Sequence, residues 1–232
     1  MRLRAIAGMV TKGNRLADVG CDHGYLSIYL VEERIVPSAI AMDVRPGPLS
    51  RARENISRYG LEDYIETRLS DGLAKLEPGE GDTLVIAGMG GPLMERILKD
   101  GAKVREGFQE LILQPQSEIC RVRRFLTENG YQIEQEDMVL EDGKYYPVMR
   151  VVHGPKEPYE EWEYLYGKRL LEARHPVLLE FLKRELRIKE SILEQLAGRS
   201  GSESARERAE EICREREWIQ KALAQYETGG TI

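Results

Sequence analysis

The sequence contains few cysteines and histidines, and neither residue type is clustered. The three cysteines, Cys21, Cys120 and Cys213, are far apart and form no Cys-x-x-Cys motif. Because a disulfide framework needs several paired cysteines, we expect a protein of the reducing cytoplasm. The three histidines are equally scattered, so their spacing predicts no metal site.

Long hydrophobic runs are also absent. No segment approaches the roughly 18 apolar residues that a membrane span needs, and the first residues lack the apolar stretch and cleavage site of a signal peptide. We therefore expect no membrane association. Lys and Arg number 34 against 40 Asp and Glu, for a formal net charge of −6. This acidic balance argues weakly against a protein that coats nucleic acid, but it leaves room for local basic patches.

The chain length and the residue pattern predict an α/β domain followed by a helical one. The 232 residues, 41% of them hydrophobic, suit one domain of about 150 residues with an appendage. Apolar runs predict strands at 16–20, 39–43, 64–69, 83–87 and 110–114, and helices are expected at 24–33, 48–59, 92–99 and 117–129. Short strands that are apolar throughout are typical of parallel strands covered on both faces, so residues 1–153 predict a doubly wound sheet.

The alternation of strands and helices ends in a predicted hairpin. Two strand-like segments, 131–140 and 146–152, flank the turn signal Glu141-Asp-Gly-Lys144. A parallel sheet that ends in this way carries an antiparallel edge strand. That feature distinguishes it from the six-stranded sheet that binds nicotinamide dinucleotides.

Residues 154–232 are predicted to form a helical domain. After the linker-like Gly154–Pro158, apolar residues follow 3/4 spacing over 179–196 and again over 205–226, with Lys189 and Arg216 in otherwise apolar positions. This pattern predicts an antiparallel helical hairpin with coiled-coil character. Because Pro176 breaks or starts a helix, we expect two helices within 159–197.

The loop after the first predicted strand is the strongest candidate for ligand binding. Gly20 and Gly24 allow a tight turn and a close approach of a ligand to the next helix. A dinucleotide-binding fingerprint would place a glycine where Asp22 stands. A carboxylate there repels a pyrophosphate but can pair with the α-ammonium group of S-adenosylmethionine. The alternative is an ordinary glycine turn.

Three further loops after strands add polar candidates. Asp43, 23 residues after Gly20, can accept hydrogen bonds from ribose hydroxyls or cap the next helix. Asp71 can accept from an adenine amino group beside an apolar wall at Leu73, although a helix N-cap at Ser70 or Asp71 is equally consistent. The segment 87–92, Ala-Gly-Met-Gly-Gly-Pro, leaves room for a substrate or forms a close-packed turn.

Taken in order, these motifs resemble the bacterial tRNA adenine-N1 methyltransferase family that acts on adenine 22. The motifs are Asp18-x-Gly20-x-Asp22-His23-Gly24-Tyr25-Leu26, Asp43, Ser70–Leu73, Ile86–Gly91 and Leu113–Gln116. The first loop together with Ala-Gly-Met-Gly-Gly is the most specific part. The resemblance implies a seven-stranded Rossmann-like methyltransferase sheet, S-adenosylmethionine as methyl donor, and a C-terminal coiled-coil-like hairpin that helps to hold tRNA. The expected cofactor-binding residues are Asp18, Gly20, Cys21, Asp22, His23, Gly24, Asp43, Val44, Asp71, Gly72 and Gly88.

The absence of one motif from this chain fits methylation at N1. Exocyclic amino methylation commonly uses an Asn-Pro-Pro-Tyr-like motif where this chain has Gly88 and Met89. The N1 atom of adenine has an in-plane lone pair and needs alignment rather than a base. Asp22 is expected either to stabilise charge on the methylated base or to bind the cofactor ammonium. Tyr25 is the candidate stacking surface for a base that has left its helix.

Basic residues that could contact tRNA occur in short groups. The candidates are Arg121, Arg124, Lys168, Arg169, Lys183, Arg184 and Arg187, with Arg2 and Arg4 near the N-terminus. The group around Arg121 is equally consistent with a solvated helix face. Two other functions stay open on these residues alone, a methyltransferase for a small molecule and a non-catalytic module that binds the cofactor.

Overall fold

Residues 1–197 and 203–227 are described by a computed structural model of the protein. The chain divides into two compact units, Met1–Glu157 and a second unit that begins at Pro158. The division falls at the end of the linker-like segment 154–158.

The first unit is built on one seven-stranded sheet in the order β3-β2-β1-β4-β5-β7-β6. The strands are β1 Leu16–Val19, β2 Ala39–Asp43, β3 Ile65–Leu69, β4 Thr83–Met89, β5 Glu110–Pro115, β6 Tyr131–Glu141 and β7 Lys144–His153. The first five are parallel, and β7 is antiparallel to both β5 and β6. The predicted doubly wound sheet with a terminal hairpin is confirmed. The hairpin turn uses left-handed backbone at Asp142 and Gly143, as a tight two-residue turn requires.

Helices cover both faces of the sheet. They are α1 Arg2–Ala7, α2 Tyr25–Glu32, α3 Pro46–Arg58, α4 Gly91–Asp100, α5 Ala102–Arg105 and α6 Ile119–Glu128. One hydrophobic cluster joins the sheet to α4 and α6, and a second joins it to α1, α2 and α3. The sequence pattern missed α1 and α5 because helices of six and four residues are too short to show a 3.6-residue period.

The second unit contains α7 Glu161–Tyr166, α8 Lys168–Glu172, α9 Pro176–Ala197 and α10 Glu203–Glu227. The expectation of two helices within 159–197 is wrong, because three are present. Gly167 has a φ of 94°, which an α-helix cannot continue through, and it separates α7 from α8. Pro176 begins α9, where its missing N–H has no helical partner to lose.

The two long helices, α9 and α10, are antiparallel neighbours. Lys189 Nζ lies 2.6 Å from Glu215 Oε2, and the Tyr226 hydroxyl donates to the His175 carbonyl at 3.0 Å. The buried residues of the pair are Leu178, Leu182, Ile212, Ile219 and Ala222. The predicted position 179 is only half-buried, since Leu178 takes the inward position of that turn. The predicted position 205 lies outside the described side chains.

Candidate active site

A cleft of about 830 Å³ opens at the carboxyl ends of β1 and β4, where the order of the strands reverses. Open α/β sheets bind ligands at such a switch point. Twelve of the predicted cofactor-binding and catalytic residues line it: Asp18, Gly20, Cys21, Asp22, His23, Tyr25, Asp43, Val44, Asp71, Gly72, Gly88 and Met89. Gly24 does not line the cleft. It caps α2 with a φ of 74° and packs against Ala52, where a Cβ atom would lie 3.2 Å from the Ala52 Cβ.

The loop after β1 makes a tight turn whose left-handed backbone at Gly20 favours glycine. Its φ is 77°, and a Cβ atom there would lie 2.3 Å from Met89 Cε. The backbone N–H groups of Gly20 and Cys21 both donate to the Met42 carbonyl, at 2.8 and 2.9 Å. The first loop and the loop after β4 are therefore in direct contact, and both face the cleft.

Asp22 follows this turn with a φ of 50°, an uncommon backbone for a residue with a side chain. Its carboxylate is 64% exposed and lies 3.6 Å from His23 Nε2. The Tyr25 ring stacks on the His23 ring, with centroids 5.7 Å apart and planes 26° apart. Tyr25 is 52% exposed, so one aromatic face of the cleft wall is open to a planar ligand.

Asp18 is a buried carboxylate that lines the cleft. Its Oδ2 accepts a hydrogen bond from the Ser27 hydroxyl at 2.8 Å. The pKa of Asp18 is raised to about 6, chiefly by burial and to a smaller extent by the negative charge of Asp43, while the hydrogen bond from Ser27 opposes both effects. A cation in the cleft would favour the ionised form of Asp18.

Cys21 has a buried thiol beside three carboxylates. Burial raises its pKa well above the ordinary thiol value, and Asp18, Asp43 and Asp22 raise it further. A thiol in this environment stays protonated, so Cys21 shapes the cleft and supplies no nucleophile. Among residues 1–197 and 203–227, no cluster of acidic, cysteine or histidine side chains could hold a metal ion.

Asp43 ends β2 and is buried. Its Oδ1 accepts from the Arg45 backbone N–H at 2.8 Å and lies 3.9 Å from Arg45 Nε. Asp43 therefore shapes the turn before α3, but the helix-cap alternative is wrong, because Arg45 occupies the N-cap position and no side chain caps this helix. Both contacts use Oδ1, so Oδ2 keeps its acceptor capacity for a ligand.

The residues of the loop after β3 have different roles. The Ser70 hydroxyl donates to the Gly72 carbonyl at 2.9 Å and closes the turn, and no helix follows, so the N-cap alternative is wrong. Asp71 stays at the cleft, 3.3 Å from Arg96 Nη2. The expected apolar wall at Leu73 is also wrong, because Leu73 belongs to the hydrophobic core and does not line the cleft.

Two glutamines at the end of β5 complete the cleft, and the sequence analysis gave them no role. Gln114 Oε1 accepts from the Gly88 backbone N–H at 3.2 Å, and the Gln116 N–H donates to the Met89 carbonyl at 2.8 Å. Gly88 lies at a bulge with a φ of 77°. The signal that could have identified Gln114 is a polar residue directly after the apolar run Leu111–Leu113, and the structure buries it fully.

The basic group of α6 is not one continuous cationic surface. Arg121 is ion-paired with Glu95 and also lies 3.3 Å from Glu118. Arg123 is buried and lies 2.8 Å from Glu136. Arg124 lines a separate cavity of about 500 Å³ beside α4. Neighbouring carboxylates therefore offset much of the charge that the sequence shows here.

The basic candidates of the second unit differ among themselves. Lys168 Nζ donates to the Pro158 carbonyl at 2.8 Å, and Arg169 lies 2.8 Å from a Glu172 oxygen. Three further residues on α9 are exposed, and we call them the α9 basic cluster: Lys183, Arg184 and Arg187. This cluster is the most accessible positive charge among the candidates on the second unit.

The sheet order, the terminal hairpin and the cleft at the switch point define a methyltransferase. A family profile described as "Methyltransferase domain" matches residues 1–149. A Bacillus subtilis tRNA (adenine(22)-N(1))-methyltransferase is 31% identical over 227 residues, covering 96% of this chain and 95% of its own length. The chain belongs to the tRNA (adenine(22)-N(1))-methyltransferase family.

Solved structures agree with this membership. The structure of the B. subtilis m1A22 tRNA methyltransferase TrmK is similar, with a TM-score of 0.86 and 31% identity over 96% of this chain and 97% of that one. A Streptococcus pneumoniae protein assigned as a tRNA (m1A22) methyltransferase was solved with S-adenosyl-L-methionine. It has a TM-score of 0.85 and 33% identity over 96% of this chain and 98% of its own. No helix within 1–197 or 203–227 has the length and apolar character needed to cross a membrane.

Proposed function

We propose that this protein transfers the methyl group of S-adenosylmethionine to N1 of adenine 22 in tRNA. The observation that carries the proposal is the convergence of the loops after β1, β2 and β3 and of the end of β4 on one cleft at the switch point. Membership of the family supplies the substrate and the cofactor.

The acidic residues of the cleft fit the cofactor group by group. Asp43 Oδ2 is assigned to the ribose hydroxyls, and Asp71 to the adenine amino group, for which it competes with Arg96. Asp18 and Asp22 are assigned to the positively charged methionine part, because a cation there relieves the cost of ionising the buried Asp18. A pyrophosphate, by contrast, would be repelled by the negative charges of these carboxylates.

The protein needs no catalytic base for this reaction. A bound cofactor would supply an electrophilic methyl group on its sulfonium; transfer to the N1 lone pair would break the methyl–sulfur bond, leave S-adenosylhomocysteine and release no proton. The chain's own task is alignment, which can contribute roughly 7–11 kcal/mol to a barrier of this kind. Gly88 and Met89 leave space for the base, with Gln114 fixing the Gly88 backbone.

Tyr25 is assigned to the target base itself, and Asp22 has an alternative role there. The half-exposed Tyr25 ring, held by stacking on His23, offers a flat surface to a base that has left its helix. The methylated base is cationic, so the exposed Asp22 carboxylate next to that surface favours its formation. Binding of the cofactor ammonium is the competing role for Asp22.

The remaining part of the proposal concerns the two domains. Residues 1–153 are proposed to fold and bind the cofactor alone, because the sheet and both of its hydrophobic clusters lie within them. Residues 154–232 are proposed to hold the body of the tRNA through the α9 basic cluster. Salt-sensitive binding is expected, since it depends on phosphate contacts.

A methylation assay with mapped products tests the proposal. The purified protein is incubated with labelled S-adenosylmethionine and either unmodified tRNA carrying adenine 22, the same tRNA with guanine 22, or a metabolite pool. We expect 1-methyladenosine at position 22 of the first substrate alone. Label in the metabolite pool would favour a small-molecule methyltransferase, and cofactor binding without any transfer would favour a non-catalytic module.

A further inference from the structure

The proposed RNA-binding cleft is rich in acidic side chains, although an RNA backbone is itself anionic. Five carboxylates line it, those of Asp18, Asp22, Asp43, Asp71 and Glu141, against three guanidinium groups, those of Arg2, Arg45 and Arg96. An RNA strand that enters this cleft needs a cation near the reacting base. The three arginines are the candidates for this cation.

Two of the three arginines already face carboxylates. Arg45 Nε lies 3.9 Å from Asp43 Oδ1, and Arg96 Nη2 lies 3.3 Å from Asp71 Oδ1. Both acids are assigned above to the cofactor. A phosphate at either arginine would therefore compete with a carboxylate that stands beside the cofactor site.

Arg2 is held differently, by an aromatic ring. Its guanidinium carbon lies 4.9 Å from the centroid of the Tyr146 ring, and its backbone N–H donates to Glu141 Oε1 at 3.3 Å. Within the described ranges, no carboxylate oxygen lies within 4.0 Å of the Arg2 guanidinium nitrogens. The Arg2 charge helps to lower the pKa of the nearby Glu141, but the hydrogen bonds of that carboxylate go to the Met1 ammonium and the Arg2 backbone N–H. A cation–π contact fixes a guanidinium without neutralising it, so the guanidinium N–H groups of Arg2 stay available to an anion.

The position of Arg2 places it on the target side of the cleft. Tyr146 belongs to β7, which lies three strands beyond β1 in the sheet, about 14 Å away at the usual spacing of strands. The loops assigned to the cofactor follow β1, β2 and β3, on the other side. The start of β7 extends past the carboxyl end of β5, so the hairpin and α1 stand at the same edge of the sheet as the cleft.

We propose that Arg2 is a tRNA-positioning residue, and that it binds a backbone phosphate next to the target adenosine from its seat on Tyr146. The inference rests on the proposed function, since it takes the cleft to accept tRNA. Tyr146 then acts through Arg2 and does not touch the substrate itself. The role of the Tyr146 ring is to hold one arginine in place.

Arg4 supplies the matched control. It lies on the same short helix as Arg2 and carries the same charge, but it is exposed and does not line the cleft. In the full-length protein, Arg2→Ala is expected to raise the KM for tRNA roughly tenfold, the size of one charged hydrogen-bonded contact. The kcat and the affinity for S-adenosylhomocysteine are expected to stay unchanged. Arg4→Ala is expected to change KM less than twofold.

Two further variants separate the charge from the ring. Tyr146→Ala is expected to raise the KM for tRNA as Arg2→Ala does, whereas Tyr146→Phe keeps the ring and is expected to behave as the wild type. The slope of log KM against log salt is expected to fall by about 1 in Arg2→Ala, since one phosphate contact is lost. Arg2→Lys, which keeps the charge, is expected to keep that slope, and thermal unfolding checks that each variant folds.

The outcomes that would overturn the inference are distinct from failure of the proposed function. A loss of S-adenosylhomocysteine affinity in Arg2→Ala would assign Arg2 to the cofactor carboxylate instead. Equal effects of Arg2→Ala and Arg4→Ala, or an unchanged KM in a folded Arg2→Ala variant, would show that Arg2 has no special contact. Failure of the proposed function would appear earlier, as absence of tRNA methylation by the wild type.

Discussion

The protonation of Asp18 should couple cofactor binding to pH. The pKa of this buried carboxyl is about 6, against an ordinary value of 3.8, so ionising it costs the ligand-free protein about 3 kcal/mol. Because the folded pKa of Asp18 lies above its unfolded value, the contribution of this group to the free energy of unfolding is greatest below about pH 4 and is lost as the pH rises through 6. A cationic ligand reverses this cost, since it favours the ionised carboxylate.

The size of the coupling follows from the two pKa values. If the bound cofactor returns the pKa of Asp18 to its ordinary value, affinity at pH 5 should be about tenfold below the plateau reached above pH 7. About half a proton should be released for each ligand bound at pH 6. Affinity therefore rises with pH across the range in which Asp18 ionises in the free protein.

Calorimetric titration with S-adenosylhomocysteine from pH 5 to pH 8 measures both quantities. Two buffers with different ionisation enthalpies give the number of protons released. Asp18→Asn should bind more weakly and without this pH dependence, and Ser27→Ala should move the midpoint to higher pH because it removes the hydrogen bond that opposes the raised pKa. A wild-type affinity that is flat over this range, with no proton release, would refute the reasoning.

Four further predictions test other parts of the protein. Gly20→Ala should lower both the melting temperature and the cofactor affinity, because the new methyl group meets Met89 and the left-handed backbone costs roughly 1–2 kcal/mol; normal binding would show that the loop rearranges freely. Asp43→Ala should weaken binding of S-adenosylhomocysteine by about 1–3 kcal/mol in calorimetry, and unchanged affinity in a folded variant would remove Asp43 from the site. Tyr25→Ala should lower tRNA methylation while Tyr25→Phe retains it, and equal loss in both would argue against stacking. Reversing the charges of the α9 basic cluster should raise the KM for tRNA most at low salt, because the lost phosphate contacts are the ones that salt weakens; a change of molecular mass without a change of tRNA kinetics would make the helical pair an assembly element.

Much of the fold followed from local patterns. Four of the five parallel strands were predicted because each is a short and largely apolar run, as β1 is throughout. The third, β3, lies at the edge of the sheet and is mostly polar, with only Ile65 buried. The hairpin was predicted because Asp142 and Gly143 suit the left-handed backbone of a tight turn. In the same way, Gly20 and Asp22 identified the ligand-facing loop, since their spacing after a strand carries the signal.

Tertiary structure decided which of two local alternatives held at several positions. An apolar residue such as Leu73 suits either the core or the wall of a ligand site, and only the packing of the folded chain shows that it lies in the core. Arg121 and Arg123 read as a cationic run, yet the carboxylates that pair with them come from other elements, Glu95 and Glu136. A sequence does not show such partners, because ion pairs form between residues that are distant in the chain.

The sequence by itself determined the order of elements, the loops that face the cleft and the chemistry of their side chains, because each depends on residues within one turn or one strand. Only the tertiary structure decided the surroundings of those side chains. The burial that raises the pKa of Asp18, the glutamine that fixes Gly88 and the ring that holds Arg2 all come from elements far along the chain. Burial, partners and local charge are properties of the assembled sheet and its helices, and no local pattern contains them.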